Sequence, residues 1–381
     1  MKNFYPDQYK KDKNFFTNHN YLSEQFSDNE IILNKIKEVV QNNDFTLGAI
    51  VDEVEEMIAN EAGTKYAIGV GSGTDALFLS LKALGIGPGD EVITTPMTAF
   101  ATTLGIMRAG AVPVLADIDP ETALLNQDSV VHCISPKTKA IILVHLYGQV
   151  RDMDAWLQLC ESEDIYLIED CAQSHLAILH GRVAGSFGKA GAYSFYPTKN
   201  LGALGDGGSV ITDDENLAEK AKQLRNYGQS SRYHHPEIGM NSRLDEIQAA
   251  MLTERLKRLE EFNDRRRQIA QKYLEGITNP LIQHLAKPQE QSAHVYHLFV
   301  LTCPERDQLI EHLQQSKIQT LIHYPIPIHL QRSCQSLKRD PAGLISSETH
   351  AETCLSIPFH PQMNDDEVEV VIDTVNRFQA C

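Results

Sequence analysis

An α/β fold built on a mainly parallel sheet is predicted by three features of this 381-residue sequence. Short apolar runs alternate with longer stretches of helical periodicity from about residue 48 to residue 226. The runs themselves, such as Ala140–His145 and Ile165–Glu169, are apolar almost throughout, as strands covered on both faces must be. Glycine-rich turns punctuate the alternation at Gly71-Ser72-Gly73-Thr74 and within Gly191–Thr212. In such sheets ligands sit beyond the carboxyl ends of the strands, so those ends are where chemistry is expected.

In chain order, Ser27-Asp28-Asn29-Glu30 reads as a capping box opening a helix with Ile31, Ile32, Ile36, Val39 and Val40 on one face. A second helix is expected over Gly48–Ala62, then a strand over Tyr66–Val70 and a helix from about Asp75. The turn Gly85–Asp90 precedes a strand over Glu91–Thr95. Thr98–Ala109 reads as helix and Val112–Ala116 as strand. Ala140–His145 is a strand, Asp152–Glu163 a helix, and Ile165–Glu169 a strand ending at Asp170. Two strands flank the glycine-rich loop around Lys199, and a helix follows over about Glu215–Asn226. Arg243–Gln271 is charged and rich in helix formers, and is expected to link two domains. Beyond it, Val295–Thr302 and Ile318–Ile322 read as strands, and Pro304–Ser316 and Asp365–Phe378 as helices. The expected division is a large domain over 1–255, and a linking helix with a smaller α+β domain over 256–381. No internal repeat or low-complexity segment interrupts this pattern.

Composition excludes several partners. The chain carries 34 Lys plus Arg against 51 Asp plus Glu, a formal net charge of −17. Nucleic acids and anionic membranes need a cationic footprint, so neither is expected as a partner. Seven cysteines without a CxxC pair point to reduced thiols in a cytoplasmic protein. The amino-terminal MKNFYPDQYKKDKNFF has no apolar signal-peptide core, and no window holds 18 consecutive apolar residues.

Three stretches carry candidate chemistry. Lys199 is followed by Gly202, Gly205, Gly207 and Gly208, which let the backbone turn tightly and approach a ligand. A lysine held between core strands is a candidate Schiff-base nucleophile. Ser72, Gly73 and Thr74 sit where a helix N-terminus would bind a monophosphate, although a plain helix cap explains the turn equally well. The third glycine of a dinucleotide fingerprint is replaced by Thr74, which weakens a nicotinamide reading. Asp170 ends an apolar strand, and a buried carboxylate needs a positive partner. A core ion pair would satisfy it, and so would a protonated pyridine nitrogen. With Ser194 as a hydroxyl donor, the three stretches together describe a site for pyridoxal 5′-phosphate. The histidines show no metal-ligand spacing, so no metal is expected.

At this point the sequence resembles the DegT/StrS family of sugar aminotransferases, which have fold type I of the pyridoxal-phosphate enzymes. The similarity runs through GSGTDALFLSLKALGIGPGDEV (71–92), KAIILVHLYGQ (139–149), IEDCAQSH (168–175), GSFGKAGAYSFYPTKNLGALGDGGSVIT (185–212), RNYG (225–228), GMNSRLDEIQAA (239–250) and HYPIPIHLQ (323–331). The resemblance implies that Lys199 binds the cofactor and moves the proton, and that Asp170 faces the ring nitrogen. It places Gln173 at the ring hydroxyl, and Gly73, Thr74 and Ser194 at the phosphate. Asn241 matches a phosphate contact supplied by a second subunit, which implies a homodimer with shared active sites. Tyr324, with His323 and His329 near it, and the loop bearing Arg232, Tyr233 and His234 resemble parts that face the sugar nucleotide.

The implied reaction moves the amino group of L-glutamate to a nucleotide-linked keto sugar, through the pyridoxamine 5′-phosphate form. The product would be an amino sugar for a surface polysaccharide or a glycosylated metabolite. The YPTKNLGALGDGG and NSRLDEIQAA segments resemble the branch acting on dTDP-linked 3-keto-6-deoxyhexoses, with a 4-keto acceptor the alternative. The family's sugar dehydratases carry histidine at the lysine position, and Lys199 speaks against that activity. A non-catalytic regulator of the same fold is the remaining alternative. Two positions depart from the family pattern. His175 is followed by Leu176 rather than glycine, and the place of a cofactor-stacking aromatic is taken by Ala99, next to Phe100.

Overall fold

A computed structural model describes residues 12–19, 22–27 and 29–380. Two helices, α1 (Leu22–Gln25) and α2 (Asn29–Asn42), precede α3 (Ala49–Ala62). There follow β1 (Tyr66–Val70), α4 (Gly73–Ala83), β2 (Glu91–Thr94), α5 (Phe100–Ala109), β3 (Val112–Leu115), α6 (Gln127–Cys133) and β4 (Thr138–Val144). Next come α7 (Met153–Ser162), β5 (Tyr166–Asp170), the hairpin β6 (Ile178–Leu179) and β7 (Arg182–Val183), β8 (Ala190–Ser194), β9 (Gly208–Thr212) and α8 (Glu215–Arg225). The remainder is α9 (Glu246–Leu256), α10 (Leu259–Gly276), β10 (Gln283–His284), β11 (Phe299–Thr302), α11 (Arg306–Gln315), β12 (Lys338–Arg339), α12 (Ile345–Thr353), β13 (Cys354–Ile357) and α13 (Asp365–Asn376).

Eight strands form one sheet in the order β1-β9-β8-β5-β4-β2-β3-β12. The five pairings from β8 to β12 are parallel, and only β9 runs against its neighbours. Alternate residues of the inner strands feed separate cores on the two faces. Ile141 and Leu143 of β4 join one cluster, and Ala140 and Ile142 the other. That division is the physical content of the unbroken apolar runs. A smaller antiparallel sheet, β10-β11-β13, has its own core, in which Tyr273, Phe299, Leu355, Phe359 and Val371 take part. The fold is thus α/β, with a large, mostly parallel sheet and helices, as expected of fold type I.

Several elements differ from expectation. Ile318–Ile322 is not a strand: it makes only isolated bridges, Ile318 with Thr17 and Leu321 with Ser356. The expected strand from Val295 begins only at Phe299, because Val295 and His297 spend their N–H groups on the 147–148 turn, not on a strand. Of the apolar face expected on α2, Ile32 and Val39 are buried, whereas Ile31 and Val40 are about half exposed. The buried stripe is narrower than the apolar pattern. Asp28, within the expected capping box, lies outside the described residues, as do residues 1–11 and Cys381. A complete box opens α13 instead, between Asn364 and Glu367.

Two stretches reach across the expected division at 255/256. β12 pairs with β3 of the large sheet, and residues 16–19 bond to residues 317, 319 and 359. Some recognisable motif residues are scaffold. Buried Glu246 of NSRLDEIQAA accepts from the N–H groups of Gly48, Ile50 and Val51, closing the start of α3. Arg225 of RNYG pairs with Glu55 and bonds the Gly69 carbonyl, holding the edge strand β1. The six described cysteines are free and buried, and burial pushes the Cys133 and Cys160 thiols up to about 12. No helix is long and apolar enough to cross a membrane among the described residues.

Candidate active site

The carboxyl ends of β1, β2, β4, β5 and β8 open onto one cavity of about 250 Å³. Ser72, Gly73, Thr74, Asp170, Gln173, Ser194 and Lys199 all line it, so folding brings together the residues expected to hold the cofactor except Asn241. The turn after β1 is the helix cap that one of its sequence readings expected. Ser72 caps α4, its hydroxyl accepting from the Asp75 N–H at 3.1 Å. Gly73 and Thr74 lie in the first turn of α4, whose N–H groups have no intrahelical partner, and both residues line the cavity. Two glycines are required by close approach: a Cβ on Gly73 would lie 2.6 Å from Ser194 Cβ, and one on Gly208 would lie 2.5 Å from the Ser72 carbonyl carbon. They let the turn, β8 and β9 approach one another closely.

Asp170 is 5% exposed. Its carboxylate accepts from the Thr102 hydroxyl at 2.8 Å and from the Ala172 N–H at 3.1 Å. Burial pushes this carboxyl above the usual carboxylate range, although Thr102, the Ala172 N–H and the Lys199 charge pull it down. A carboxylate so placed is under-compensated, and a cationic ring N–H is the partner it lacks. Burial also pushes the Lys199 amine down to about 8 against the pull of Asp170, so a good share of it is the neutral nucleophile near physiological pH. The residues present therefore fit pyridoxal phosphate.

Gln173 is locked from two sides. Its carbonyl accepts from the Tyr147 N–H at 2.6 Å, and its amide donates to the Tyr324 hydroxyl at 3.3 Å. Tyr147 in turn donates its hydroxyl proton to the His323 carbonyl, tying the large sheet to the 323–324 segment. Tyr324 thus meets a residue of the cavity wall without lining the cavity itself. The imidazole of His323 turns to Ser356 Oγ at 2.8 Å, and that of buried His329 to Glu348 at 2.9 Å. Neither His323 nor His329 lines this cavity. Arg232, Tyr233 and His234 lie on an exposed loop, Tyr233 being 81% exposed, and Asn241 is exposed as well. None of the four enters the Lys199 cavity of its own chain.

Both departures from the family pattern have a place in the geometry. Leu176 holds φ +59°, a left-handed conformation in which glycine is the easier residue. Its buried side chain compensates by packing into the large core. Ala99 lines the cavity with a methyl group, while Phe100 opens α5 and is 40% exposed. His145, Glu169 and Cys171 bring ligand-type atoms within 4.8 Å of one another. Glu169, however, already accepts from Gly185, Phe187 and Gly188 N–H groups and pairs with His145, so the trio reads as a brace for β5.

Sequence reasoning missed Thr98, Thr102 and Tyr147. The two threonines are four apart across the start of α5, a spacing that puts them on one face and was readable. Nothing local points Tyr147 at Gln173.

Buried histidines set a pH limit. Burial holds His175 and His294 down to about 3, and His323 and His350 down to about 4. Between pH 6.5 and about 4 the unfolded chain binds protons that the fold refuses, so stability falls as pH falls. The slope reaches about 1.4 kcal/mol per pH unit for each histidine. The apoprotein's melting temperature should therefore drop steeply from pH 6.5 to 5; a flat profile would contradict the neutral buried histidines.

An amine made nucleophilic near neutral pH, opposite a buried carboxylate in want of a cation, at the carboxyl edge of this sheet, defines a pyridoxal-phosphate enzyme of fold type I. More narrowly, the chain belongs to the DegT/DnrJ/EryC1/StrS aminotransferase family, whose profile matches residues 27–376. It is 45% identical over 340 residues to a dTDP-3-amino-3,6-dideoxy-alpha-D-galactopyranose transaminase from Aneurinibacillus thermoaerophilus, covering 89% of this chain and 93% of that protein. A pleiotropic regulatory protein of Geobacillus stearothermophilus is 40% identical over 94% of this chain and 97% of its own length. Among solved structures, S. venezuelae DesV in complex with a ketimine intermediate superposes with a TM-score of 0.91 at 38% identity, covering 94% of this chain and 97% of that one. The protein is an aminotransferase, and its cofactor is pyridoxal phosphate.

Proposed function

We propose that the protein moves the amino group of L-glutamate to a nucleotide-linked keto sugar, with a dTDP-linked 3-keto-6-deoxyhexose as the preferred acceptor. The observation that carries the reading is the pairing of Lys199 with Asp170 across one cavity. The choice of sugar is supported by the 45% identity to a transaminase named for a dTDP-linked 3-amino-3,6-dideoxy sugar. When bound, pyridoxal phosphate supplies an electron sink for the bond broken at the donor's α-carbon.

The chain's own residues do the rest. The α4 N-terminus, Ser72, Thr74 and Ser194 hold the phosphate. Asp170 stays anionic toward the ring nitrogen. Gln173, fixed by Tyr147 and Tyr324, orients the ring edge. Lys199 Nζ takes the proton from the donor's α-carbon and holds it for return, as a positioned amine of lowered basicity can. Running the same proton transfer backwards aminates the sugar, so the two half-reactions share one site. The test is a panel of dTDP-, UDP- and GDP-linked 3- and 4-keto sugars with glutamate, followed by 2-oxoglutarate release and product mass. Turnover of dTDP-linked 3-keto sugars supports the reading; turnover of 4-keto sugars alone, or of none, overturns it.

The working unit in this reading is a homodimer with shared sites. Support comes from the 229–241 stretch, where Tyr233 is 81% and Ile238 96% exposed beside exposed Asn241. Apolar side chains standing this far out are what a second copy would cover. Neither Asn241→Ala nor Lys199→Ala protomers should turn over well alone. Mixed, their heterodimers should regain up to about a quarter to a half of the wild-type activity per dimer, because one of the two sites is then intact. Verified heterodimers without rescue would exclude a site completed by Asn241 of the partner.

A further inference from the structure

Behind Asp170 stands a second polar layer that the reaction scheme does not use. Thr102 Oγ1 lies 2.8 Å from Asp170 Oδ2, and Thr98 Oγ1 lies 2.8 Å from Thr102 Oγ1. Thr102 is fully buried and Thr98 is 4% exposed, with Thr98 lining the cavity. A hydroxyl carries one proton to donate and lone pairs to accept. An ionised carboxylate only accepts, so the Thr102 proton must point to Asp170. Thr102 then has only lone pairs left for its neighbour, so the Thr98 proton must point to Thr102.

We propose that Thr98 and Thr102 form a polarised two-hydroxyl relay that keeps Asp170 ionised and aimed into the cavity, both acting as positioning residues. The inference rests on the reading of Asp170 as the partner of the cofactor's ring nitrogen. The other groups facing Asp170 are the Ala172 N–H, Lys199 on the β8–β9 loop, His145 at the end of β4 and Tyr324 on the 323–324 segment. His145 is committed to Glu169, Tyr324 accepts from Gln173 and makes no hydrogen bond to Asp170 among the described residues, and Lys199 is consumed when it bonds the cofactor. Once Lys199 is so engaged, Thr102 is the side-chain donor that remains on the carboxylate. A consequence follows at the cavity wall: Thr98 Oγ1 presents lone pairs only, and so accepts from a ligand N–H or O–H and repels a ligand oxygen lacking a proton.

The test uses the full-length apoprotein and pyridoxal phosphate as probe. Two quantities are read: cofactor affinity by absorbance titration, and the pH midpoint of the bound cofactor's visible band. Thr102→Val, which keeps the shape and removes the hydroxyl, should weaken affinity about tenfold or more and move the midpoint, as loss of a hydrogen bond to a charged group does. Thr102→Ser should stay within about twofold of wild type on both readouts, and Thr98→Val should move both in the Thr102→Val direction by less. In an Asp170→Asn background, Thr102→Val should add little, because the two act on one interaction. Wild-type values for Thr102→Val, or equal damage from Thr102→Ser, overturn the relay. Should Thr102→Val fail to fold, an unchanged Thr98→Val overturns it. Wild-type protein that binds no pyridoxal phosphate overturns the cofactor reading and the relay together, whereas normal wild-type binding with silent variants removes the relay alone.

Discussion

Lys199→Ala is expected to lower steady-state turnover by about 10⁴-fold or more, since in the proposed reaction one side chain is both the cofactor's covalent anchor and the proton carrier. The size follows from the environment. Burial brings the amine down to about 8, and Asp170 alone among its named neighbours opposes that shift. No other amine lines the cavity among the described residues. Ser72, Thr74 and Ser194, proposed to hold the phosphate, are left intact, so the variant should still take up the cofactor, without the covalent bond that borohydride would trap in the wild type. Release of 2-oxoglutarate from glutamate, followed alongside borohydride trapping, checks both halves. Turnover within tenfold of wild type would remove Lys199 from the mechanism.

Asp170→Asn is expected to separate function from stability. The amide keeps the shape and, through its one oxygen, the Thr102 contact, but it gives up the bond from the Ala172 N–H and the charge that would answer a cationic ring nitrogen. Turnover should fall by about 10²–10³-fold, the scale of losing a preorganised electrostatic partner. The empty protein should respond in the opposite direction. Burial raises the Asp170 carboxyl, so in the folded state its charged form is disfavoured relative to the unfolded chain, and stability is lost as pH rises through its window. Removing that charge should raise the apoprotein's melting temperature near pH 7. Calorimetry and initial rates on the same preparation decide it: an apo variant that melts lower, or one with undiminished turnover, would contradict the assignment.

The legibility of this site in the sequence was uneven for physical reasons. Lys199, Asp170 and the Ser72–Thr74 turn were readable because each is a local pattern, a strand end or a glycine-rich turn beside an apolar run. The strand bounds were readable too: Tyr66–Val70 agrees to the residue. The short strand β12 was not, because its exposed Lys338 and Arg339 have no apolar pattern and are strand only by pairing with β3. Ile318–Ile322 failed for the converse reason. Its β-branched residues favour an extended chain, but Thr17 and Ser356 pair with it only at single points. The exposed Arg232–His234 loop and Asn241 were marked by resemblance, and none of them lines the Lys199 cavity of its own chain.

Residue order was enough to specify an alternating α/β chain with a lysine, a carboxylate and an anion-binding turn at strand ends, since periodicity, caps and glycine turns act over a few residues. The arrangement around them came from packing. Thr102 meets Asp170 across 68 residues of chain, and the Tyr147 side chain meets His323 across 176. Burial, which lowers the amine and raises the carboxyl, exists only once the sheet, its helices and the 323–324 segment have closed over them. Desolvation is a property of the whole assembly, and no short stretch of sequence carries it.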